Sequence, residues 1–279
     1  MECLRTLLLL LSFLASVPVA SACPMVSGFP DFNCDGEFRV AVVGDSIVSG
    51  VGDSTHGNRG GYVLRTQAAL PDSKVLNFGI PGLDTVQLLL NLNKAFSGRS
   101  YAALLEGLTR ADLVVLDIGR NDFWSFGPPI QTLRRLRKAR ALIESGVAAR
   151  AGHAPLVVTA VLLLPNRGTQ GPWVQELNEL IRSANGSSHP ADLRFDKVSK
   201  TLLNEDRLHP TPAGFKAVAA VFLAYLRAAY PLHAAELRPD TDHDGLYDVY
   251  EGERYGTDPA DSDTDDDGLL DGQDPSPAG

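Results

Sequence analysis

Arg39-Val40-Ala41-Val42-Val43-Gly44-Asp45-Ser46 is the stretch that decides the fold. Its apolar, β-branched run shows no polar alternation, so both faces of the strand should be covered, as in a parallel sheet under helices. The same kind of run recurs, giving expected strands at 38–43, 74–78, 112–118, 155–163 and 193–198. Between them lie helical patterns at 61–70, 85–96, 132–151, 172–184 and 212–230. Thr211 can cap the last helix and Pro212 fits its first turn. Strands alternating with amphipathic helices predict a three-layer α/β/α domain, whose ligands should sit at the carboxyl ends of the strands.

Those ends carry the chemistry-bearing residues. The first strand runs into Gly44-Asp45-Ser46, the second ends in Asn77-Phe78-Gly79 and the third in Gly119-Arg120-Asn121-Asp122. Asp206-Arg207-Leu208-His209 precedes the last helix. Each fragment alone is ordinary turn material; the ordered set is not. A serine hydroxyl needs a base, and His209 can serve Ser46 while Asp206 fixes the imidazole tautomer. The backbone N–H groups of Ser46 and Gly79 and the side-chain amide of Asn121 can supply an oxyanion hole. His56, His153, His189, His233 and His243 lack the Asp-x-x-His context and read as structural.

This set resembles the SGNH, or GDSL, hydrolase family in four blocks: Gly44-Asp45-Ser46, Gly79, Gly119-Arg120-Asn121-Asp122 and Asp206 to His209. The resemblance spans about residues 38–230. It implies a flavodoxin-like sheet and an esterase, lipase or deacetylase using Ser46, Asp206 and His209. The Gly-x-Ser-x-Gly elbow is absent, since Val48 stands at its last position. Phe123, Trp124 and Phe126 follow the oxyanion asparagine and can line an acyl or sugar pocket, though packing is their expected main role. The glycine-rich stretch 47–61 is expected to form a rim of the site. The basic run 134–138 lies among Leu133, Leu136 and Ile143, which fall near helical spacing, and reads as the solvated face of a packed helix.

The chain has 279 residues, 44% hydrophobic and 21% charged, with a net charge of −9, which excludes a disordered chain and a basic nucleic-acid binder. The charge is unevenly spread. Residues 240–279 hold fourteen acidic residues against one basic residue, Arg254, a net −13; residues 1–239 hold 24 basic and 20 acidic residues, a net +4. At the other end, a cation at Arg5, an apolar run at 7–15 and Ala20-Ser21-Ala22 read as a signal peptide over 1–22. That leader predicts a secreted or periplasmic protein. Its removal leaves Cys23 and Cys34, expected to form a disulfide in an N-terminal segment 23–37. Lipid anchoring through Cys23 is the second option.

The acidic tail has an internal period. Asp240, Asp242, Asp244, Leu246, Asp248 and Glu251 stand at loop positions 1, 3, 5, 7, 9 and 12, with Gly245 at 6. Asp263, Asp265, Asp267, Leu269, Asp271 and Asp274 repeat the pattern 23 residues on, with Gly268 at the turn. This is the oxygen-ligand spacing of calcium loops. Without flanking helices the tail resembles thrombospondin type 3 repeats more than a sensor EF-hand pair or a dockerin. The expected organisation is a hydrolase domain at 38–232, a linker at 233–239 and a Ca²⁺-binding tail at 240–279. The expected activity is ester hydrolysis on an acetylated carbohydrate or an acyl lipid, with a cell-surface or matrix partner for the tail. An inert calcium-dependent adhesion module is the rival of a different class.

Overall fold

The computed structural model describes residues 25–125, 127–184 and 192–230, and in the C-terminal segment 241–242, 244, 248, 251, 256–271, 274 and 276–279. The expected leader, Cys23, Phe126, the 233–239 linker, Asp240 and Leu246 lie outside the described residues. The chain divides into two units, Cys23–Leu237 and one containing Arg238–Gly279.

The larger unit opens with a short antiparallel pair, β1 (Met25–Val26) and β2 (Phe29–Pro30). The chain then runs β3 (Arg39–Gly44), α1 (Ser46–Ser49), α2 (Gly61–Ala69), β4 (Lys74–Gly79), α3 (Thr85–Phe96), α4 (Ala102–Thr109) and β5 (Leu113–Asp117). It continues with α5 (Pro129–Ala151), β6 (Leu156–Thr159), α6 (Gln170–Ala184) and α7 (Pro212–Ala224), the last prolonged by a π-helical turn at Tyr225–Ala229. Strands β3 to β6 form one parallel sheet in the order β4-β3-β5-β6. Every residue of β3 and β5 is buried, as their unbroken apolar runs require.

Successive side chains of a strand point to opposite faces. On one face Ala41, Val43, Val114 and Leu116 meet Leu88 and Leu92 of α3, Leu136 and Ile143 of α5, and Val174 and Leu177 of α6. On the other, Val40 and Val42 are fully buried, and α2 packs on both β4 and α7. There the Tyr62 and Phe195 rings lie 5.1 Å apart, with Phe222 edge-on to both. Residues 212–229 are apolar and long enough to cross a membrane by composition; in this fold Phe215, Val218 and Phe222 of that stretch are core residues.

One expected strand is mostly lost. Around 193–198 only Val161 and Arg194 form a parallel bridge, and a 3-10 turn follows at Phe195–Lys197. Within the turn Phe195 is buried, its ring packed on Tyr62.

Two polar devices finish the sheet. At the amino end of β5, the buried Asp112 carboxylate accepts the N–H groups of Phe32 (2.8 Å) and Arg39 (2.7 Å). That ties the N-terminal segment to the sheet. Along the outer edge of β4, Gln67 Oε1 accepts Val75 N–H (2.7 Å) and Asn77 Oδ1 accepts Gly79 N–H (2.9 Å).

Candidate active site and acidic loops

The site starts where β3 stops. Asp45 caps α1, its Oδ1 accepting the N–H of Ile47 at 2.9 Å, and so places Ser46 in the first helical turn. The N–H groups of that turn have no acceptor within the helix. Asn77 Nδ2 donates to Val48 O (2.8 Å) and draws α1 onto β4. Gly79 makes the approach possible: a Cβ there would fall 2.2 Å from Ser49 N.

The histidine arrives on the loop before α7, whose N-cap Thr211 accepts Gly214 N–H at 3.1 Å. Asp206 Oδ1 accepts the N–H groups of Leu208 (2.9 Å) and His209 (3.0 Å), while Arg207 takes a left-handed conformation at φ 57° to close the turn. Asn204 fastens the loop to the rim, donating from Nδ2 to Pro210 O (2.9 Å) and Gly52 O (3.3 Å). Gly52 lies so close that a Cβ would sit 3.0 Å from His209 Cβ.

Asp206 Oδ2 is hydrogen-bonded to His209 Nδ1, and His209 Nε2 lies 2.8 Å from Ser46 Oγ. Burial alone would raise the Asp206 pKa, but the hydrogen bonds from the His209 ring and from the two backbone N–H groups outweigh it and lower it. An ionised carboxylate only accepts, so in neutral His209 the proton sits on Nδ1 and Nε2 accepts from the serine hydroxyl. That arrangement can deprotonate the serine as it attacks.

The remaining sequence-predicted donors lie at neighbouring strand ends and already have partners. Gly79 N–H points to Asn77 Oδ1, and Asn121 Nδ2 donates to Leu83 O (3.0 Å). Asp122, next in the block, is a fixture: it accepts Thr85 N–H (3.0 Å) and pairs with Arg135 (3.0 Å). Phe123 and Trp124 contact edge-on, and Phe123 also meets Trp173, so Phe123 is a packing residue; Trp124 is 57% exposed.

Sequence reasoning missed the charges beneath the site. Arg120, only 1% exposed, places Nη1 3.3 Å from Asp45 Oδ2 and Nη2 2.6 Å from Asp117 Oδ1, and donates from Nε to Leu163 O (3.2 Å). Tyr62 donates its hydroxyl to Asp117 Oδ2 at 3.0 Å. The available signal was Asp117, a carboxylate closing an otherwise apolar strand.

Residues 42–217 match the GDSL-like Lipase/Acylhydrolase family. The chain belongs to this family. It is accordingly a hydrolase acting on ester bonds. Two solved structures illustrate the likeness. A member of the lipolytic protein G-D-S-L family from Veillonella parvula DSM 2008 is 18% identical, with 68% of this chain and 99% of that one covered and a TM-score of 0.52. A G-D-S-L family protein from Desulfitobacterium hafniense DCB-2 gives the same identity and TM-score, with 68% and 100% covered. At such identities the likeness establishes a shared fold. Comparison with curated proteins gives no match.

The smaller unit holds two groups of carboxylates. Asp242, Asp244 and Glu251 form one and Asp263, Asp265 and Asp267 the other, with ligand-capable oxygens in each group within 4.8 Å of one another. Glu251 is fully buried and its Oε2 has no hydrogen-bond partner among the described residues; the same holds for Oδ2 of the buried Asp274. Burial, with Asp242 and Asp244 close by, pushes Glu251 up to about 7. The ninth-position carboxylates are used differently. Asp248 accepts the N–H (2.8 Å) and hydroxyl (2.6 Å) of Thr241, and Asp271 those of Thr264 (2.8 and 2.7 Å), so both staple their own loops. Leu269, at the seventh position, exposes its side chain and donates its N–H to Asp267.

Proposed function

We propose that this hydrolase is a secreted serine esterase in which Ser46, His209 and Asp206 act as a catalytic triad. The observation that carries the reading is the 2.8 Å contact of Ser46 Oγ with His209 Nε2, with Asp206 on the other ring nitrogen. Ser46 attacks the ester carbonyl as His209 takes its proton, and Asp206 stabilises the imidazolium. The Ser46 and Gly79 N–H groups and the Asn121 amide receive the oxyanion, the latter two exchanging their present acceptors for it. His209 then protonates the leaving alcohol, and a water activated by the same histidine hydrolyses the acyl-enzyme. Ser46→Ala should lower kcat by at least about 10⁴-fold. Undiminished ester hydrolysis by the purified variant would refute the reading.

Export and a modular tail favour an acetylated carbohydrate as substrate. A second reading, an acyl lipid, is favoured by exposed apolar side chains beside the donors: Ile80 after Gly79, 42% exposed, and Trp124 near Asn121. Rates on acetyl against long-chain acyl esters separate the two.

For the tail the reading is a structural Ca²⁺ module similar to thrombospondin type 3 repeats, joined through 233–239 and meeting a cell-surface or matrix partner. Its support is the oxygen-only donor set and the buried Glu251 Oε2 and Asp274 Oδ2, which have no hydrogen-bond partner among the described residues. Asp242, Asp244 and Glu251 would hold one ion, and Asp263, Asp265 and Asp267 another. The leader at 1–22 would be removed on export. Cys34 is disulfide-bonded, and Cys23 is its proposed partner, in preference to lipidation. Calorimetric titration of the full chain with Ca²⁺ tests the tail; an absence of binding heat across millimolar calcium would count against it.

A further inference from the structure

The sheet order β4-β3-β5-β6 reverses direction between β3 and β5, and the crevice of such a sheet opens at that point. Ser46 leaves from the end of β3, and Asn121 from the end of β5. The β3–β5 ladder ends at the Gly44–Asp117 pair. Beyond it the chains diverge, one into α1 and the other into a 3-10 turn at Arg120–Ser125.

We infer that Arg120 is a positioning residue: its buried guanidinium, bridging Asp45 and Asp117, fixes the spacing between the nucleophile turn and the oxyanion-donor turn. The inference rests on the proposed roles of Ser46 and Asn121. Asp45, immediately before Ser46, uses one carboxylate oxygen to cap α1 and the other to meet Arg120. Arg120 is itself the residue before Asn121. Its own carbonyl is held by Gln170 Nε2 at 3.2 Å, and its Nε reaches Leu163 O beyond β6. One fork thus reaches three strand ends.

Stability alone does not account for this cluster. Two buried carboxylates and one guanidinium carry a desolvation cost that apolar residues of similar volume would avoid. What the ions supply is directional geometry. A planar fork sets two carboxylates at defined angles, which a lysine ammonium cannot reproduce.

The test uses the full chain. In Arg120→Lys, which keeps the charge but not the fork, kcat per serine titratable by an organophosphate probe should fall about a hundredfold, the effect of misplacing a reacting group by about 1 Å, while KM stays within about threefold. The losses from Arg120→Lys and Asn121→Ala should be strongly sub-additive when combined, because both remove the same oxyanion contact. An unchanged kcat per titrated serine, or additive losses, would overturn the inference, since a scaffold residue changes the amount of folded enzyme and not its turnover. Should Arg120→Lys fail to fold, Tyr62→Phe removes only the hydroxyl held by Asp117. It should lower kcat about fivefold at constant KM, and an unchanged kcat there is likewise fatal. Activity surviving in Ser46→Ala overturns the triad and this inference together. An inactive Ser46→Ala beside an Arg120→Lys of normal kcat overturns this inference alone.

Discussion

Asp206 shows how much one carboxylate can organise: two backbone N–H groups on one oxygen and the imidazole on the other. Asp206→Asn should keep the loop but allow the wrong histidine tautomer, lowering kcat by about 10⁴-fold in steady-state assays. Its lowered pKa has a second consequence. The stabilisation it gives is present above the ordinary carboxylate range and is lost as pH falls through the folded-state value. The urea midpoint of Asp206→Asn should therefore lie below that of wild type at pH 7, and the gap should close as pH falls below the ordinary carboxylate range. Ser46, Asp206 and His209, which the structure brings together, were legible as a candidate set because such a set is recognised by residue type and spacing, both of which a sequence displays. Arg120 was not. A basic residue between glycine and asparagine reads as part of a solvated turn, and only the arrival of Asp45, Asp117 and Leu163 O from distant positions shows it to be buried.

Among the elements, periodicity read the scaffold well where one face is apolar. Helix α3 runs over the expected 85–96, with Asp84 capping it through the Gln87 N–H. Helix α4 escaped notice because Ala102–Thr109 is short, carries one charge and has no polar stripe. The strand expected at 193–198 has the right composition, yet it pairs through one bridge, Val161 with Arg194, before the chain turns at Phe195–Lys197. Asp112 belongs at this scale because it joins the N-terminal segment to β5. Burial, reinforced by nearby Asp31 and opposed by the two N–H donors, raises its pKa to about 7. The folded chain thus holds a proton that the unfolded chain releases near pH 4, so stability should decline as pH rises from about 4 to about 7. Asp112→Asn should flatten that slope in melting curves recorded across the window, from a lower starting Tm, since one N–H loses its acceptor. Gly79→Ala should fail to give soluble, active protein, as judged by expression and turnover, because the new Cβ would collide with backbone at Ser49.

At the scale of the whole molecule, the net charge of −9 is the sum of a mildly basic hydrolase and an acidic tail. Under the calcium reading, chelation should make residues 240–279 more sensitive to limited proteolysis and leave kcat on a soluble ester within about twofold, since none of the proposed catalytic residues lies in the tail. The 23-residue period of that tail was visible as spacing. That Asp248 and Asp271 staple Thr241 and Thr264 was not, because spacing shows which oxygens are available and not what they face. The bordering strand β4 bears on self-association. An unprotected edge invites another chain to pair with it, the first step towards polymers and fibrils. In β4 the outward N–H groups of Val75 and Gly79 are already taken by the amides of Gln67 and Asn77. One glutamine and one asparagine side chain thus withdraw two of the donors along the β4 border that an incoming strand would need.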